Sequence, residues 1–419
     1  MTARKIIVVG GGAAGLMAAG QAAEAGAAVV LIEKMQRSGR KLSITGKGRC
    51  NVTNVAERET FISHFGTTGP FLRPAFERYF SADLVAFLES HGVPLVTERG
   101  GRVFPVSGRA PDVVHAFVQW VIRSGVISHC RTRADALLLE TGRIAGVQCG
   151  ADTLRADAVI LATGGKSYPA TGSTGDGYDL ARTAGHTIVP PRPALVPLEI
   201  DGNTAARLDG LSLRNVRATV LVDGDKRREA FGELLFTKFG VTGPVIMTLS
   251  GEAVEAVQSG CSADLVIDLK PALDSEKLDR RLQRDLEARA EEPMRSLLRG
   301  LLPKPLVGVC LQKLGMPAHR LGRSVSAHDR KRLGCWLKAF PLSVTGHRSF
   351  EEAIVTAGGV DTNEIDPNRM ASRVCDGLFV AGELLDVQAN TGGYNLQAAF
   401  STGWLAGRSA AGGVPSSLV

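Results

Sequence analysis

The sequence predicts an α/β protein whose main domain is interrupted by an insert with an antiparallel β-sheet or barrel and a basic helical subdomain. The chain has 419 residues, which is more than one hydrophobic core usually organises. Near the N-terminus a strand, a glycine-rich turn, a helix and a second strand follow one another. After residue 186 the pattern changes to alternating strands, and it returns to α/β from residue 352.

The first 190 residues predict repeated β and α elements. A βαβ unit is expected from a strand at 6–9, a helix at 16–25 and a strand at 28–32. Residues 37–54 lack periodicity and are rich in Gly, Lys, Arg and Asn, which is typical of a structured loop. Further elements are predicted from apolar periodicity as helices at 70–79, 82–91 and 110–124 and strands at 95–97, 103–105, 126–130, 136–140, 144–149 and 158–162.

The remaining elements define the predicted insert and the return to the first domain. Alternating segments predict strands at 194–200, 216–222, 228–236 and 263–268, and a final strand and helix are expected at 377–381 and 393–411. The helical stretch at 274–340 is divided by prolines 293, 303, 305 and 317. The predicted parts are a nucleotide-binding domain (1–190 and 352–412), a β insert (191–273 and 341–351), a basic helical subdomain (274–340) and a flexible tail (413–419).

Composition excludes several classes of function. The seven cysteines form no CxxC pair and the eight histidines are scattered, so we expect no metal site, no disulfide framework and no hydrolytic triad. No apolar run is long enough to span a bilayer. We therefore expect a cytoplasmic protein without membrane contacts.

The positive charge is concentrated in the helical stretch. Residues 274–338 contain 15 Lys and Arg against 8 Asp and Glu, and from 295 to 338 Asp329 is the only acid against 10 cations. Such a run is either a solvated helical face or a surface that contacts phosphates. On the second interpretation, the candidate nucleic-acid contacts are Arg295, Arg299, Arg320, Arg323, Lys331 and Arg332.

The glycine-rich turn predicts a dinucleotide site. Residues 10–15 match GxGxxG directly between a strand and a helix, and Glu33 ends the second strand 23 residues after Gly10. In this context Gly10 permits the tight turn, Gly12 lets the backbone approach a pyrophosphate, and Gly15 allows close packing. Glu33 can accept both ribose hydroxyls of an adenosine. This motif alone does not separate NAD from FAD.

Two later strand ends favour FAD. Residues 160–165 read ILATGG and residues 377–383 read GLFVAGE, and in FAD-binding proteins such strand ends surround the dinucleotide. The segment NTGGYNLQ at 390–397 opens the last helix, whose free N–H groups can face the flavin N1 and C2 carbonyl. Alternatively, this segment is only a tight loop before an ordinary helix.

These motifs together resemble the bacterial family of NAD(P)/FAD-dependent oxidoreductases, over nearly the whole chain. The resemblance is carried by RKL at 40–42, GKGRCNVTN at 46–54, ATGGKSYPATGSTGDGY at 162–178, LFTKFGVTGPVIM at 235–247, TAGGVD at 356–361, GLFVAGELLD at 377–386 and NTGGYNLQAAFSTG at 390–403. Members of this family are described as aminoacetone oxidase-like, as reductases of unsaturated 3-oxo bile acids, and as dihydrouridine synthases of large-subunit ribosomal RNA. The resemblance implies a Rossmann-like, glutathione-reductase-type FAD domain.

It also implies the residues of the FAD site. Beyond Gly10, Gly12, Gly15 and Glu33, they are Ala13, Ala14, Lys34, Arg40, Lys41, Asn51, Ala136, Thr163, Gly164, Gly382, Glu383, Gly393, Asn395, Leu396 and Gln397. The GKGRCN loop is expected beside the isoalloxazine ring, with Cys50, Lys47 and Tyr168 as candidate catalytic residues. Cys50 is either a proton donor, whose pKa the adjacent Lys47 and Arg49 would lower, or a packing residue. Tyr168 and Tyr394 are alternative proton donors or stacking platforms.

No second GxGxxG motif is visible, so either NAD(P)H docks transiently at the flavin as the expected reductant, or another donor reduces it. The favoured hypothesis is reduction of a carbonyl-conjugated C=C bond, with a uridine of large-subunit ribosomal RNA as substrate and the basic stretch as the RNA contact. A small-molecule oxidase or reductase acting on aminoacetone or an enone is the first alternative. A non-catalytic RNA-binding flavoprotein is the second. The sequence leaves the oligomeric state open.

Overall fold

The structure is a computed structural model that describes residues 3–412, and the predicted tail at 413–419 lies outside them. Two compact units divide the chain. Unit 1 runs to Pro193 and resumes at Phe350, and unit 2 is Ala194–Ser349.

The first part of the chain alternates strands and helices. In order it contains β1 (Lys5–Val9), α1 (Ala13–Glu24), β2 (Ala28–Glu33), β3 (Thr53–Asn54), α2 (Arg58–Ser63), α3 (Gly69–Arg78), α4 (Ser81–Ser90), β4 (Leu95–Thr97), β5 (Arg102–Pro105), α5 (Ala110–Arg123), β6 (Ile127–Cys130), β7 (Ala136–Glu140), β8 (Arg143–Cys149), β9 (Asp152–Arg155), β10 (Ala158–Leu161), α6 (Asp176–Thr183) and β11 (Ile188–Ala194).

Unit 2 contains a barrel and a group of helices. Its elements are β12 (Leu198–Ile200), α7 (Thr204–Arg207), β13 (Ser212–Val222), β14 (Asp225–Phe236), β15 (Gly240–Thr242), α8 (Pro244–Gln258), β16 (Ala263–Asp268), α9 (Ser275–Ala288), α10 (Met294–Leu297), α11 (Lys304–Leu314), α12 (Ala327–Lys338) and β17 (Phe340–His347). The chain then completes unit 1 with β18 (Val355–Val360), β19 (Ile365–Asp366), β20 (Ala371–Ser372), β21 (Leu378–Val380) and α13 (Tyr394–Ala410).

Unit 1 is built on a seven-stranded sheet in the order β19-β20-β21-β10-β1-β2-β6. The pairs among β21, β10, β1, β2 and β6 are parallel, and β19 and β20 form an antiparallel edge. The four residues of β10 are fully buried, as expected for a strand that is covered on both faces. This is the predicted α/β architecture.

The first and last helices of unit 1 pack through small residues. A Cβ added at Gly403 of α13 would lie 2.3 Å from the Ala14 carbonyl oxygen, and one at Gly407 would lie 2.3 Å from the Ala18 oxygen. The two backbones therefore approach more closely than any larger side chain would permit. This contact joins segments that are nearly 400 residues apart in sequence.

Unit 2 contains the closed antiparallel barrel β12-β15-β14-β13-β16-β17. The helix α8 contacts all six strands and buries Val245, Ile246, Leu249 and Val254 against them. It was not predicted, although its buried positions 245, 246, 249, 253 and 254 follow the spacing of one helix face.

The basic helices α9 to α12 pack against one another and against the barrel within unit 2. Leu278 and Leu282 of α9 are buried together with Leu333 and Leu337 of α12. The start of α9 is capped by Asp274, whose carboxylate accepts a hydrogen bond of 2.7 Å from the Lys277 N–H. The predicted helical stretch is therefore a packed part of unit 2.

One predicted strand is wrong. Residues 194–200 were expected to be continuous, but β11 ends at Ala194 and β12 begins at Leu198. Leu195 has φ +50°, and this left-handed backbone conformation is incompatible with a strand. Leu195 is buried, so packing holds its backbone in this conformation and keeps β11 and β12 separate.

Candidate active site

Four predicted motifs meet at one edge of the large sheet. Val9 is in register with Ile32 of β2 and Leu161 of β10, and Leu161 is in register with Val380 of β21. These strands are parallel, so the residues that follow them emerge at the same edge. The edge therefore gathers the GxGxxG turn, Glu33, the segment from Thr163 and the segment from Gly382.

The glycine turn leaves open space at the start of α1. A Cβ at Gly10, where φ is +104°, would lie 2.5 Å from the Ala162 carbonyl oxygen, and one at Gly15 would lie 1.8 Å from the Gly10 oxygen. A Cβ at Gly12 would meet no heavy atom within 4 Å. Gly12 is also the N-cap of α1, and no side chain caps the N–H groups that follow it at Ala13 and Ala14. This uncapped N-terminus can receive a phosphate.

Glu33 is held firmly at the end of β2. One carboxylate oxygen accepts a hydrogen bond of 2.8 Å from the Gly11 N–H, and the other accepts one of 2.8 Å from the Met35 N–H. An ionised carboxylate accepts about two hydrogen bonds at each oxygen. Each oxygen therefore retains capacity for a ribose hydroxyl.

Two loops close around the edge from either side. Lys34 donates to the Thr174 hydroxyl at 2.6 Å and to the Asp176 carboxylate at 2.8 Å, and Arg40 donates to the Ala170 carbonyl at 3.1 Å. These contacts tie residues 34–40 to residues 170–176. Both cations are thereby oriented by the protein itself.

Three further predicted cofactor residues have different environments. Ala136 begins β7 in the separate sheet β7-β8-β9, and its side chain is exposed. Thr163 and Gly164 follow β10, and Gly164 has φ +76°. A Cβ at Gly164 would lie 3.1 Å from the Ser173 hydroxyl oxygen, so a side chain there would crowd the loop.

A polar network of four residues lies beside this edge. One carboxylate oxygen of Glu383 accepts from the Lys41 ammonium at 2.7 Å, and the other accepts from the Ser167 hydroxyl at 3.0 Å and the Thr356 N–H at 2.8 Å. Lys41 also donates to Ser167 at 2.6 Å. Ser167 and Thr356 were missed as site residues, although each lies within a quoted family motif. The network joins the two parts of unit 1.

The start of α13 presents backbone N–H groups rather than side chains. Gly393 is its N-cap, and no side chain caps the helix. The Asn395 amide is committed to the backbone of Ala389, with bonds of 2.8 and 2.9 Å, and the buried Gln397 bonds to Thr53 and Ser401. Leu396 is half-buried beside them. What this helix can offer a cofactor is therefore its N-terminal backbone.

The three predicted catalytic residues share an unusual backbone conformation. Lys47, Cys50 and Tyr168 have φ of 58°, 59° and 53°. Non-glycine residues seldom adopt such values, which persist only where the surroundings enforce them and which concentrate at functional sites. This observation supports a role for the loop at 45–51 and for the segment at 166–171.

The expected lowering of the Cys50 pKa is wrong. Its thiol is fully buried, and burial raises the pKa to about 12 despite a smaller, opposing hydrogen bond with Thr45. Arg49 is paired with Glu98 and stacks over Phe104, while the Lys47 side chain is exposed. Neither cation therefore offsets the cost of burying a thiolate, so Cys50 remains a neutral thiol near pH 7.

Thiol labelling of the native protein tests this result. At pH 7.5 we expect Cys130 and Cys335, which are exposed, to react with an alkylating reagent while Cys50 does not. A pKa of about 12 instead of 9 lowers the thiolate fraction of Cys50 by about three orders of magnitude, in addition to the steric protection. Mass spectrometry after increasing reaction times measures the order in which the cysteines are alkylated. The urea-unfolded protein, in which all cysteines are accessible, is the control. Early modification of Cys50 would contradict the burial argument.

Tyr394 packs among aromatic rings at the start of α13. Its ring lies 4.6 Å from that of Phe61 in an edge-on arrangement and stacks on His64 at 3.9 Å. Burial raises the pKa of its hydroxyl. Tyr168, by contrast, is only half-buried. Of the two tyrosines, Tyr168 is therefore the better candidate for contact with a substrate.

The arrangement fits FAD. The open space at Gly12 and the uncapped α1 suit a pyrophosphate, and Glu33 suits the adenosine ribose. The uncapped α13 suits the electron-rich N1 and C2 carbonyl region of an isoalloxazine ring. The side-chain oxygen of Asn51 is buried and has no hydrogen-bond partner within residues 3–412, so it requires a donor that the described chain does not supply.

The six predicted nucleic-acid contacts fall into two groups. Arg320 and Arg332 both pair with Asp329, at 2.9 and 3.7 Å, and Arg323 pairs with Glu291 at 2.6 Å. Arg295, Arg299 and Lys331 are exposed, and within the described part of the chain none of these three has an ion pair or a side-chain hydrogen bond. Only this second group, which we call the unpaired cations, is free to contact phosphates without losing an internal partner.

Among the residues that the structure describes, no group of three or more His, Cys, Asp or Glu side chains is arranged to hold a metal ion. No helix in residues 3–412 combines the length and the apolar character needed to cross a membrane.

Comparison with solved structures supports the fold. A flavocytochrome c3 fumarate reductase matches with a TM-score of 0.52 at 18% identity, covering 98% of this chain and 78% of that one. The 3-ketosteroid Δ1-dehydrogenase from Sterolibacterium denitrificans matches with a TM-score of 0.53 at 13% identity, covering 98% and 100%. At these identities the likeness concerns the fold alone.

Sequence relatives extend the match to the family. A 3-dehydro-bile acid Δ(4,6)-reductase of Clostridium scindens is 32% identical over 413 residues, which cover 97% of this chain and 99% of that protein. A ribosomal RNA dihydrouridine synthase of Escherichia coli is 30% identical over 406 residues, covering 95% and 96%. The family model described as the HI0933-like protein Rossmann domain matches residues 4–409. The chain therefore belongs to the HI0933-like family of FAD-binding Rossmann proteins and is a flavin-dependent oxidoreductase.

Proposed function

We propose that this enzyme reduces a C=C bond conjugated to a carbonyl, and that its substrate is a uridine of large-subunit ribosomal RNA, which becomes dihydrouridine. NAD(P)H is the proposed reductant of the bound cofactor. The two relatives carry names that describe different substrates, but an enone of a bile acid and the C5=C6 bond of uracil are both alkenes conjugated to a carbonyl. The same reduction of a conjugated C=C bond therefore applies to both classes of substrate.

The observation that carries the RNA assignment is the distribution of charge. The stretch from 295 to 338 holds ten cations. Five of them pair with acids, namely Arg320, Arg323, Arg330, Arg332 and Lys338. The unpaired cations Arg295, Arg299 and Lys331 are exposed. Lys and Arg side chains on one surface bind polyanions by releasing condensed counterions. A neutral enone does not benefit from exposed cations, whereas the phosphates that flank a target uridine do.

The reaction adds a hydride to C6 of uracil and a proton to C5, and it leaves the carbonyls intact. Reduced FAD, when bound, supplies the hydride. The N-terminal backbone of α13 would stabilise the negative charge that the reduced cofactor carries before it gives up the hydride. The proton must come from a group that lies beside C5 of the substrate.

We assign the proton to Tyr168 or Lys47 rather than to Cys50. Burial raises the pKa of the Cys50 thiol to about 12, so giving up its proton would leave a buried and poorly compensated thiolate. Tyr168 is half-buried and Lys47 is exposed, and both have the left-handed backbone described above. Both side chains are therefore accessible to solvent.

Two triple variants test the RNA assignment in the FAD-loaded enzyme. Replacing Arg295, Arg299 and Lys331 by Gln is expected to weaken binding of a ribosomal RNA fragment strongly, because phosphate contacts are lost. The slope of log affinity against log salt should fall in magnitude by about 0.7 to 0.9 for each contact removed. Flavin content, measured by visible absorbance, should not change.

The matched control replaces Arg320, Arg323 and Arg332 by Gln. It also removes three positive charges, but from side chains that are paired with acids of the same chain. The net charge of the protein therefore changes equally, while fewer phosphate contacts are lost. Equal effects of the two variants would reject direct contact by the unpaired cations. In a strain that lacks the gene, mass spectrometry of ribosomal RNA nucleosides should show one dihydrouridine missing, and an unchanged content would reject the substrate.

A small-molecule enone reductase is the second candidate. It is favoured by the relative with 32% identity, whose name is that of a bile-acid reductase and which aligns over nearly its whole length. This candidate predicts anaerobic oxidation of the reduced enzyme by a 3-oxo-Δ4 steroid. It also predicts that neither triple variant alters that rate.

A further inference from the structure

The turn between β4 and β5 carries two arginines that have no ion pair. Arg99 and Arg102, which we call the turn arginines, are exposed, and within residues 3–412 neither pairs with an acid. Glu98, the acid of this turn, is paired with Arg49 at 2.5 Å. The Nε of Arg102 donates to the Arg99 carbonyl at 3.2 Å, and its guanidinium lies 5.8 Å from the centre of the Phe104 ring. Two positive charges are therefore presented to solvent.

Hydrogen bonds hold this turn against the start of α13. The side-chain amide of Asn54 donates to the Gly100 carbonyl at 3.0 Å and to the Gly392 carbonyl at 3.0 Å. The Val55 N–H donates to the Gly101 carbonyl at 2.8 Å, and a Cβ at Gly101 would lie 2.5 Å from the side-chain oxygen of Asn54. The turn is therefore fixed beside the helix N-terminus that suits the isoalloxazine ring.

The same turn is joined to the loop at 45–51. Arg49 of that loop pairs with Glu98, and its guanidinium lies 4.2 Å over the centre of the Phe104 ring. Directly after the loop, the Val52 N–H donates to the Val103 carbonyl at 2.9 Å, and β3 continues this pairing with β5. The turn arginines therefore belong to a hairpin that contacts both segments expected to flank the isoalloxazine ring.

The loop and the turn together are positively charged. Residues 45–51 and 98–102 contain the four cations Lys47, Arg49, Arg99 and Arg102 against one acid, Glu98. A surface with charges of one sign attracts ligands of the opposite sign and raises their local concentration. This part of unit 1 therefore favours an anionic ligand next to the candidate active site.

We propose that Arg99 and Arg102 bind the phosphates that flank the target uridine. A uridine within an RNA chain has a phosphate on each side, so a base that is extruded to reach the isoalloxazine ring brings both phosphates to the surrounding surface. Arginine suits this contact because its planar guanidinium can donate two hydrogen bonds to one phosphate. The inference rests on the proposed function, and it deepens it by naming residues that hold the target nucleotide itself.

The test replaces both turn arginines by Gln in the FAD-loaded full-length enzyme. It uses a ribosomal RNA fragment in two forms, one natural and one in which the two phosphates flanking the target uridine are replaced by uncharged methylphosphonates. Affinity is measured by the change in flavin absorbance, and reduction is measured by mass spectrometry of the RNA. The four combinations of enzyme and RNA form a cycle that isolates the contact between these arginines and these phosphates.

We expect Arg99→Gln with Arg102→Gln to lower the affinity for the natural RNA by at least about tenfold, the effect of losing one hydrogen bond between charged groups. The slope of log affinity against log salt should fall in magnitude by about 1.4, which is about 0.7 for each phosphate contact in a single strand. With the methylphosphonate RNA the same substitutions should change the affinity by about twofold or less.

Two further variants are the controls. Lys5 begins β1 and Arg123 ends α5 shortly before β6, so these exposed cations lie at the sheet edge opposite to the glycine turn. Replacing both by Gln removes the same net charge and should leave the affinity for RNA nearly unchanged. Arg99→Lys with Arg102→Lys retains the charges and should recover most of the affinity. Flavin content and urea unfolding should be the same in all variants.

Three results would overturn the assignment. The first is an equal effect of the Gln variant on both RNAs, because the arginines would then act on phosphates elsewhere. The second is an equal loss in the control at Lys5 and Arg123. The third is slower reduction of FAD by NADPH at unchanged RNA affinity, because the arginines would then bind the phosphates of the dinucleotide.

Failure of the inference differs from failure of the proposed function. If the wild-type enzyme reduces the RNA and the Gln variant binds it as tightly, the role of the turn arginines is rejected while reduction of ribosomal RNA stands. If the wild-type enzyme reduces no ribosomal RNA but reduces an enone steroid, both the RNA substrate and the role of the turn arginines are rejected.

Discussion

Gly12→Ala is expected to abolish most FAD binding while leaving the fold intact. Gly12 has φ −82° and ψ −167°, which alanine adopts without strain, and a Cβ there would meet no protein atom within 4 Å. The methyl group instead fills the space through which a pyrophosphate reaches the N-terminus of α1. We expect the affinity for FAD to fall by at least about tenfold, or 1.4 kcal/mol, and flavin titration of the apoprotein measures this.

Two other glycines supply controls for this result. Gly251 in α8 is also surrounded by open space, and Gly251→Ala should bind FAD normally. Gly15→Ala should instead destabilise the protein itself, because its Cβ would lie 1.8 Å from the Gly10 carbonyl oxygen. Urea unfolding of each apoprotein separates the two effects. A Gly12→Ala protein that binds FAD as tightly as the wild type would contradict the assignment of the open space at Gly12 to the pyrophosphate.

The sequence predicted the elements around the glycine turn because their signals are local. The strand, the glycine turn and the first helix follow one another within residues 5–24, and buried strands such as β10 are recognisable as short apolar runs. Since parallel strands end at the same edge, the positions of Glu33, Gly164 and Gly382 follow from strand order alone. The unusual backbone of Lys47 and Cys50, however, has no counterpart in the local pattern.

What could not be predicted depends on contacts between distant segments. Ser167 and Thr356 are separated by 189 residues, and their contact exists only because the chain returns to the first unit after the insert. The Cys50 pKa was misjudged for a related reason, since neighbours in sequence suggested nearby positive charge. In three dimensions Arg49 turns to Glu98, and the burial of the thiol dominates.

The network around Glu383 is where the two parts of unit 1 depend on each other most directly. Its carboxylate receives three donors: one from the loop after β2, one from the segment after β10 and one from β18. Charge-assisted hydrogen bonds of this kind are stronger than neutral ones. The same residue is proposed to lie next to the cofactor, so stability and flavin binding should change together when it is replaced.

Glu383→Ala is therefore expected to lower the free energy of unfolding of the apoprotein by about 2–4 kcal/mol and to reduce flavin content. The substitution leaves the Thr356 N–H and the Ser167 hydroxyl buried without an acceptor and removes the counter-ion of Lys41, whose side chain is 22% exposed. Glu383→Gln should cost less, because its amide oxygen can still accept from Ser167 and Thr356. Urea unfolding and visible absorbance measure the two effects.

Glu140→Ala is the matched control for the loss of a carboxylate. Glu140 pairs with Arg155 on the surface, and both side chains are about 60% exposed, so its removal should cost less than about 1 kcal/mol and leave flavin content unchanged. The difference between the two variants isolates what burial and the additional donors contribute. If Glu383→Ala were as stable as Glu140→Ala, the network would be a consequence of the fold rather than one of the contacts that hold its two parts together.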